Sequence, residues 1–278
     1  MSRSLSALSL DLLGTRVRLE TNDERWIALL RCLWQPFVVT SSNAENICVI
    51  ERQATGWKID VFGDLVVTET DPWRVATFVR NQLVLRAADD ATGLIPVHAA
   101  VLARGSSALL LVGPSGAGKT TLTVELIAAG WRYGSDDLAP LSIKSGRVVP
   151  FPKPLKVVSS GAPARLATLW EPPSWLPPGP VTLLPASVFP LTQHADLAVE
   201  YMAFVRFDRS TAATLDPVSS GIALSAVARN VRRIQPEGLR TLAAICQRVP
   251  AAKVAFRSPS EGAALIQSMV EGRDRPGV

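Results

Sequence analysis

The sequence predicts an α/β protein built as a small N-terminal α+β domain over residues 1–92 and a larger domain over residues 93–278. Three observations carry this. Strand-like and helix-like periodicities mix in the first ninety residues. Two short apolar runs then lead into a glycine-rich loop and an amphipathic helix. Further strand and helix patterns follow to the C-terminus.

In the first domain, Val17-Arg18-Leu19-Glu20 reads as a short strand. From Asp23 to Leu33, apolar residues fall at Trp26, Leu29, Leu30 and Leu33, a helical spacing that Pro36 closes. Ile47 to Glu51, Trp57 to Phe62 and Leu65 to Thr70 read as a meander, with Gly56 and Gly63-Asp64 as punctuation. Asp71 caps a helix with Pro72 in its first turn, running to about Ala88.

In the second domain, Val97 to Ala103 and Ala108 to Val112 read as buried strands. A helix over Lys119 to Ala129 follows the loop, and Gly130 ends it. Tyr133 to Leu138 reads as a strand leading into a loop, and Leu141 to Val149 as a hairpin about Ser145-Gly146. Residues 150–190 carry eleven prolines, and Pro172 to Pro180 is expected to stay out of sheets and helices as an exposed or partner-facing segment. Tyr201 to Phe207 and Ala252 to Phe256 read as strands, Ser220 to Val231 and Pro236 to Arg248 as helices. Ser258-Pro259-Ser260-Glu261 is a capping box that opens a last helix.

Composition excludes several classes. No apolar run reaches about 18 residues, so no membrane partner is expected. Met1 to Ser9 does not read as a secretory signal, and Cys32, Cys48 and Cys246 are dispersed without metal-ligand spacing, as expected of buried thiols in a cytoplasmic protein. The net charge is +5, but its basic residues are scattered, with Arg232-Arg233 beside Arg229 the densest group. That reads as a solvated helix face, so no nucleic-acid partner is expected.

The strongest motif is Gly113-Pro114-Ser115-Gly116-Ala117-Gly118-Lys119-Thr120, a P-loop. Its glycines let backbone N–H groups converge on phosphate oxygens, Lys119 offers a point charge to the terminal phosphates, and Thr120 offers a hydroxyl to Mg²⁺. Together with Thr121 these residues form the expected site for ATP. Asp136-Asp137 follows the next strand. Such a pair can divide labour between metal binding and proton acceptance, or simply cap a turn. His98 stands in the strand before the P-loop strand, where a lone His is as readily a core residue as a functional one. Arg132, Lys153 and Lys156 are candidate phosphate or substrate contacts, or a solvated surface. Trp170 and Trp175 either anchor a peptide partner or pack their loop down.

The order His98-Ala99-Ala100, the P-loop, then Gly130-Trp131-Arg132-Tyr133-Gly134-Ser135-Asp136-Asp137 resembles the catalytic domain of HPr kinase/phosphorylase and the HPr-kinase-related proteins, which include lasso-peptide precursor serine kinases. Phosphoenolpyruvate carboxykinase is a more distant likeness. The resemblance implies a P-loop kinase core of the HPr kinase/PEP carboxykinase type over 93–278. It implies an ATP- and Mg²⁺-dependent kinase acting on a serine-type hydroxyl of a peptide or protein. By position, His98 would lie near the phosphates and metal, Asp136 would be the general base, and Asp137 with Thr120 would hold the metal. Thr121 stands where the bifunctional enzymes carry Glu, so a kinase without the reverse reaction is expected. Similar proteins are often oligomeric, which leaves a homo-oligomer open. Two alternatives stay open: a small-molecule kinase acting on, for example, free serine, and a non-catalytic nucleotide-switched protein.

Overall fold

The computed structural model describes residues 5–40, 43–158, 166 and 168–274; Pro163 and the first four residues lie outside them. The chain is mixed α/β with several sheets, and among the described residues no sheet closes into a barrel. It forms two compact units, one of residues 1–91 with 153–188, the other of residues 92–152 with 189–278.

In the first unit, β1 (Ser6–Leu12), β2 (Thr15–Thr21), β3 (Val38–Val39), β4 (Asn46–Arg52), β5 (Trp57–Val61) and β6 (Leu65–Glu69) form one sheet in the order β3-β1-β2-β4-β5-β6. Strands β2 and β4 are parallel and the other pairs antiparallel. Strand β1 was not expected, although its alternation buries Leu8, Leu10 and Leu12. Helices α1 (Glu24–Leu33) and α2 (Pro72–Asp90) begin at Asp23 and Asp71, whose carboxylates accept from first-turn N–H groups.

Residues 153–188, most of the proline-rich segment, belong to this unit. Pro172 to Pro180 forms neither strand nor helix, but β12 (Leu155–Val158) and β13 (Val181–Leu184) pair antiparallel on either side of it. The segment is held by aromatic packing. Trp175 meets Trp26 edge-on at 5.3 Å, Trp170 meets Trp73 at 6.4 Å, and Trp73 Nε1 donates to Pro177 O at 2.7 Å. Arg80, buried, donates to Pro154 O at 2.9 Å. Trp170 and Trp175 are therefore half-buried packing residues within their own unit.

In the second unit, β7 (Leu94–Val97) pairs with β11 (Ala139–Ser142). A six-stranded mixed sheet contains β8 (Ala99–Arg104), β9 (Ser107–Val112), β10 (Arg132–Ser135), β14 (Ala198–Phe207), β15 (Thr214–Pro217) and β16 (Ala251–Phe256), in the order β10-β8-β9-β14-β16-β15. Strands β9, β14 and β16 run parallel. Side chains alternate between two cores. On one face Val101, Leu110 and Met202 pack with residues of α4 (Ser220–Ala228) and α5 (Pro236–Arg248). On the other, Leu102, Leu109 and Leu111 pack with residues of α3 (Lys119–Ala128) and α6 (Pro259–Asp274). No helix among the described residues is long and apolar enough to cross a membrane.

The cysteines are free. Burial favours the neutral thiol, pushing Cys48 up to about 12, Cys246 to about 11, and Cys32 upward as well. An unfolded thiol ionises near 8.5. Above that pH the unfolded chain holds fewer protons than the folded one, so stability should fall as pH rises. Thiol titration should find Cys32 reacting first in the native protein and all three only on denaturation; immediate reaction of Cys48 would contradict the packing.

Candidate functional site

Strand register brings three separate segments together. Ala99 of β8 lies opposite Val112 of β9, so His98 and Gly113, the next residues outward, are neighbours. Ser135 of β10 lies opposite Val101, which brings Asp136-Asp137 to the same end of the sheet. The sequence pattern places His98 within a strand; the structure does not. The residue sits at a bend between β7 and β8, because Val97 and the residues before it pair with β11 while Ala99 onward pairs with β9. The bend is fastened by its own N–H, which donates to Asn230 O at 2.6 Å.

Lys119 opens α3 and is 5 % exposed. Its ammonium donates to the carbonyls of Gly113 and, at 3.0 Å, Pro114, and lies 3.1 Å from His98 Nε2. On the far side of the ring, Nδ1 is 2.9 Å from Asp137 O. A carbonyl only accepts, so Nδ1 carries the proton and the Nε2 lone pair faces Lys119. Burial, then the Lys119 charge, holds His98 below its ordinary pKa, which fits this neutral tautomer. Burial also lowers Lys119, opposed by the nearby charges of Asp137 and Asp136. Asp136 is 2 % exposed; Asp137 is half-buried.

The loop conformation depends on Gly118, whose φ of 89° lies in the left-handed region. A Cβ there would come within 2.9 Å of the Phe256 ring and 3.1 Å of Phe207 Cβ. Gly118→Ala is therefore expected to cost about 1–3 kcal/mol in strain and to distort the cradle. Thermal melts with and without ATP check this. An unchanged midpoint and ATP shift would contradict it.

Pro114, Ser115 and Gly116 are exposed, while Thr120 and Thr121 are half-buried in the first turn of α3, where helix N–H groups lack intrahelical acceptors. That end of a helix suits an anion. Among the described residues, no group of three or more His, Cys, Asp or Glu side chains is arranged to hold a metal. Mg²⁺ rarely needs such a cage. It keeps waters and phosphate oxygens and takes one or two protein oxygens, a demand that the Thr120 hydroxyl and an Asp137 carboxylate fit by type.

Arg132 does not join this group. It stands at the opposite end of β10 from Asp136 and donates to Leu191 O at 3.2 Å. Lys153, fully buried, and Lys156 belong to the other unit. One group was missed. Phe207, at the end of β14, donates its N–H to Ala117 O at 3.1 Å and so lies directly beside the P-loop motif. Its position at the carboxyl end of a parallel strand was the available signal.

No protein-family model matches this chain, and no curated protein matches it.

Proposed function

We propose that the chain is an ATP-dependent kinase that transfers the γ-phosphoryl group to a serine-type hydroxyl on a peptide or protein, lasso-peptide precursors being the acceptors the sequence resemblance favours. The observation that supports this reading best is the convergence of Lys119, His98, Asp136 and Asp137 at the mouth of the Gly113–Thr120 loop. A phosphate cradle alone binds; a cradle with a cation and two carboxylates beside it can position an acceptor and take its proton.

In this reading the loop N–H groups and Lys119 bind the triphosphate. Lys119 exchanges its bonds to Gly113 O and Pro114 O for phosphate oxygens, with His98 guiding the ammonium through Nε2. Thr120 and Asp137 would hold Mg²⁺, which supplies charge neutralisation on the phosphates when bound. Asp136 accepts the proton of the attacking hydroxyl, whose oxygen forms the new bond to the γ-phosphorus while the bond to the ADP oxygen breaks.

Free serine is a second acceptor reading. Trp170 and Trp175 would favour a peptide partner if exposed, but they pack against Trp73 and Trp26. Incubation with γ-labelled ATP, Mg²⁺ and either serine-containing peptides or free serine separates the two. Label on peptide serine is expected. Label on free serine alone decides for the small-molecule kinase, and ATP binding without transfer to either decides for a nucleotide switch.

A further inference from the structure

The two flanks of the P-loop motif differ in chemistry. On the β8 and β10 flank stand His98, Asp136 and Asp137, and Lys119 turns toward them through its 3.1 Å contact with His98. On the opposite flank, strands β14 and β16 end in Phe207 and Phe256, at matched register. A triphosphate bound with its terminal phosphate at Lys119 on the first flank would leave the second flank to its nucleoside end.

That second flank carries an aromatic surface. Phe207 is 36 % exposed, unusual for a residue tied to a buried strand. It is held from three sides. Its N–H donates to Ala117 O, its Cβ lies against Gly118, and its ring packs at 5.8 Å on Phe256. Phe256 is itself clamped: a Cβ on Gly262 of α6 would come within 2.8 Å of its ring, so only glycine lets the helix lie this close. The Arg209 guanidinium lies 5.8 Å from the Phe207 ring centre. The turn that carries it is fixed by Asp208, which accepts from the Ser210 N–H at 3.0 Å and its hydroxyl at 2.6 Å. An exposed ring fixed from three sides with an exposed cation beside it is an arrangement suited to stacking a nucleobase.

We infer that Phe207, with Arg209 over its ring, is the nucleobase platform of this site, the purine of the bound nucleotide stacking on the exposed face of the phenyl ring. This rests on the triphosphate reading of the Gly113–Thr120 loop. The platform contributes to nucleotide affinity and not to the phosphoryl-transfer chemistry.

Calorimetric titrations of ATP and of inorganic tripolyphosphate, each with Mg²⁺, test it. Phe207→Ala retains the Cβ against Gly118 and the backbone bond to Ala117, so the phosphate cradle persists. The variant should bind ATP about tenfold more weakly or worse, and tripolyphosphate as the wild type does. Phe207→Trp should restore ATP binding, with its fluorescence quenched by the nucleotide. Wild-type ATP affinity in Phe207→Ala overturns the platform. Equal loss of both ligands overturns it too, since Phe207 would then act through the loop. Wild-type protein that binds neither ligand overturns the triphosphate reading itself.

Discussion

Replacing Lys119 with alanine is expected to remove phosphoryl transfer, with a loss of about 10³-fold or more, and to weaken ATP binding sharply. The side chain is buried and its bonds run to carbonyls of its own loop. In the folded protein burial disfavours its charge, so the ammonium is held in place at a cost in folding stability. A costly buried cation at the start of a glycine-rich loop makes sense if an anion comes to meet it. For the same reason the variant should fold: loss of the charge removes a desolvated group, and the melting temperature should stay within a few degrees of wild type. Transfer at the wild-type rate by a folded Lys119→Ala protein would contradict the role given to Lys119.

Asp136→Asn is expected to do the opposite to binding and the same to turnover. The amide keeps the shape of the buried carboxylate and cannot accept the hydroxyl proton, so ATP affinity should hold while the rate falls about 10²- to 10⁴-fold. Asp137→Asn should instead raise the Mg²⁺ concentration needed for half-maximal rate. Rates across a Mg²⁺ titration for both variants distinguish the two roles. Full turnover by Asp136→Asn would remove the base assignment. An unshifted Mg²⁺ requirement in Asp137→Asn would remove the metal assignment.

Local features were legible in the sequence where their signal is local. The helices starting at Asp23 and Asp71 begin at their caps, and Pro236 to Arg248 is helical as its pattern indicates. The P-loop motif is a contiguous string whose glycines dictate its own turn. Strand β1 was missed although Leu8, Leu10 and Leu12 alternate, and β15 was missed because a four-residue edge strand ending in Pro217 has little periodicity.

The site was legible only in pieces. His98, Lys119 and Asp137 are distant in sequence and meet because Ala99 pairs with Val112 and Ser135 with Val101, registers that no local pattern encodes. The resemblance supplied their grouping; the structure shows the His98 bend and the Lys119 contact, and the tautomer follows from the Asp137 carbonyl beside Nδ1. Phe207 carried one weak signal, its place at a strand end, and an aromatic there reads as core until the neighbouring Ala117 and Gly118 are seen. The placement of residues 153–188 with the first unit depended on Trp26 and Trp73, more than a hundred residues upstream of the rings or carbonyl they meet in Trp175 and Pro177.

The most direct measurement is the mass of a serine-containing acceptor peptide after incubation with ATP and Mg²⁺ in the presence of the wild-type protein and, separately, of Lys119→Ala. The kinase reading predicts that the peptide gains one phosphoryl group on serine with the wild type and none with the variant. A phosphorylated peptide in both reactions, or in neither while the wild type binds ATP, would contradict it.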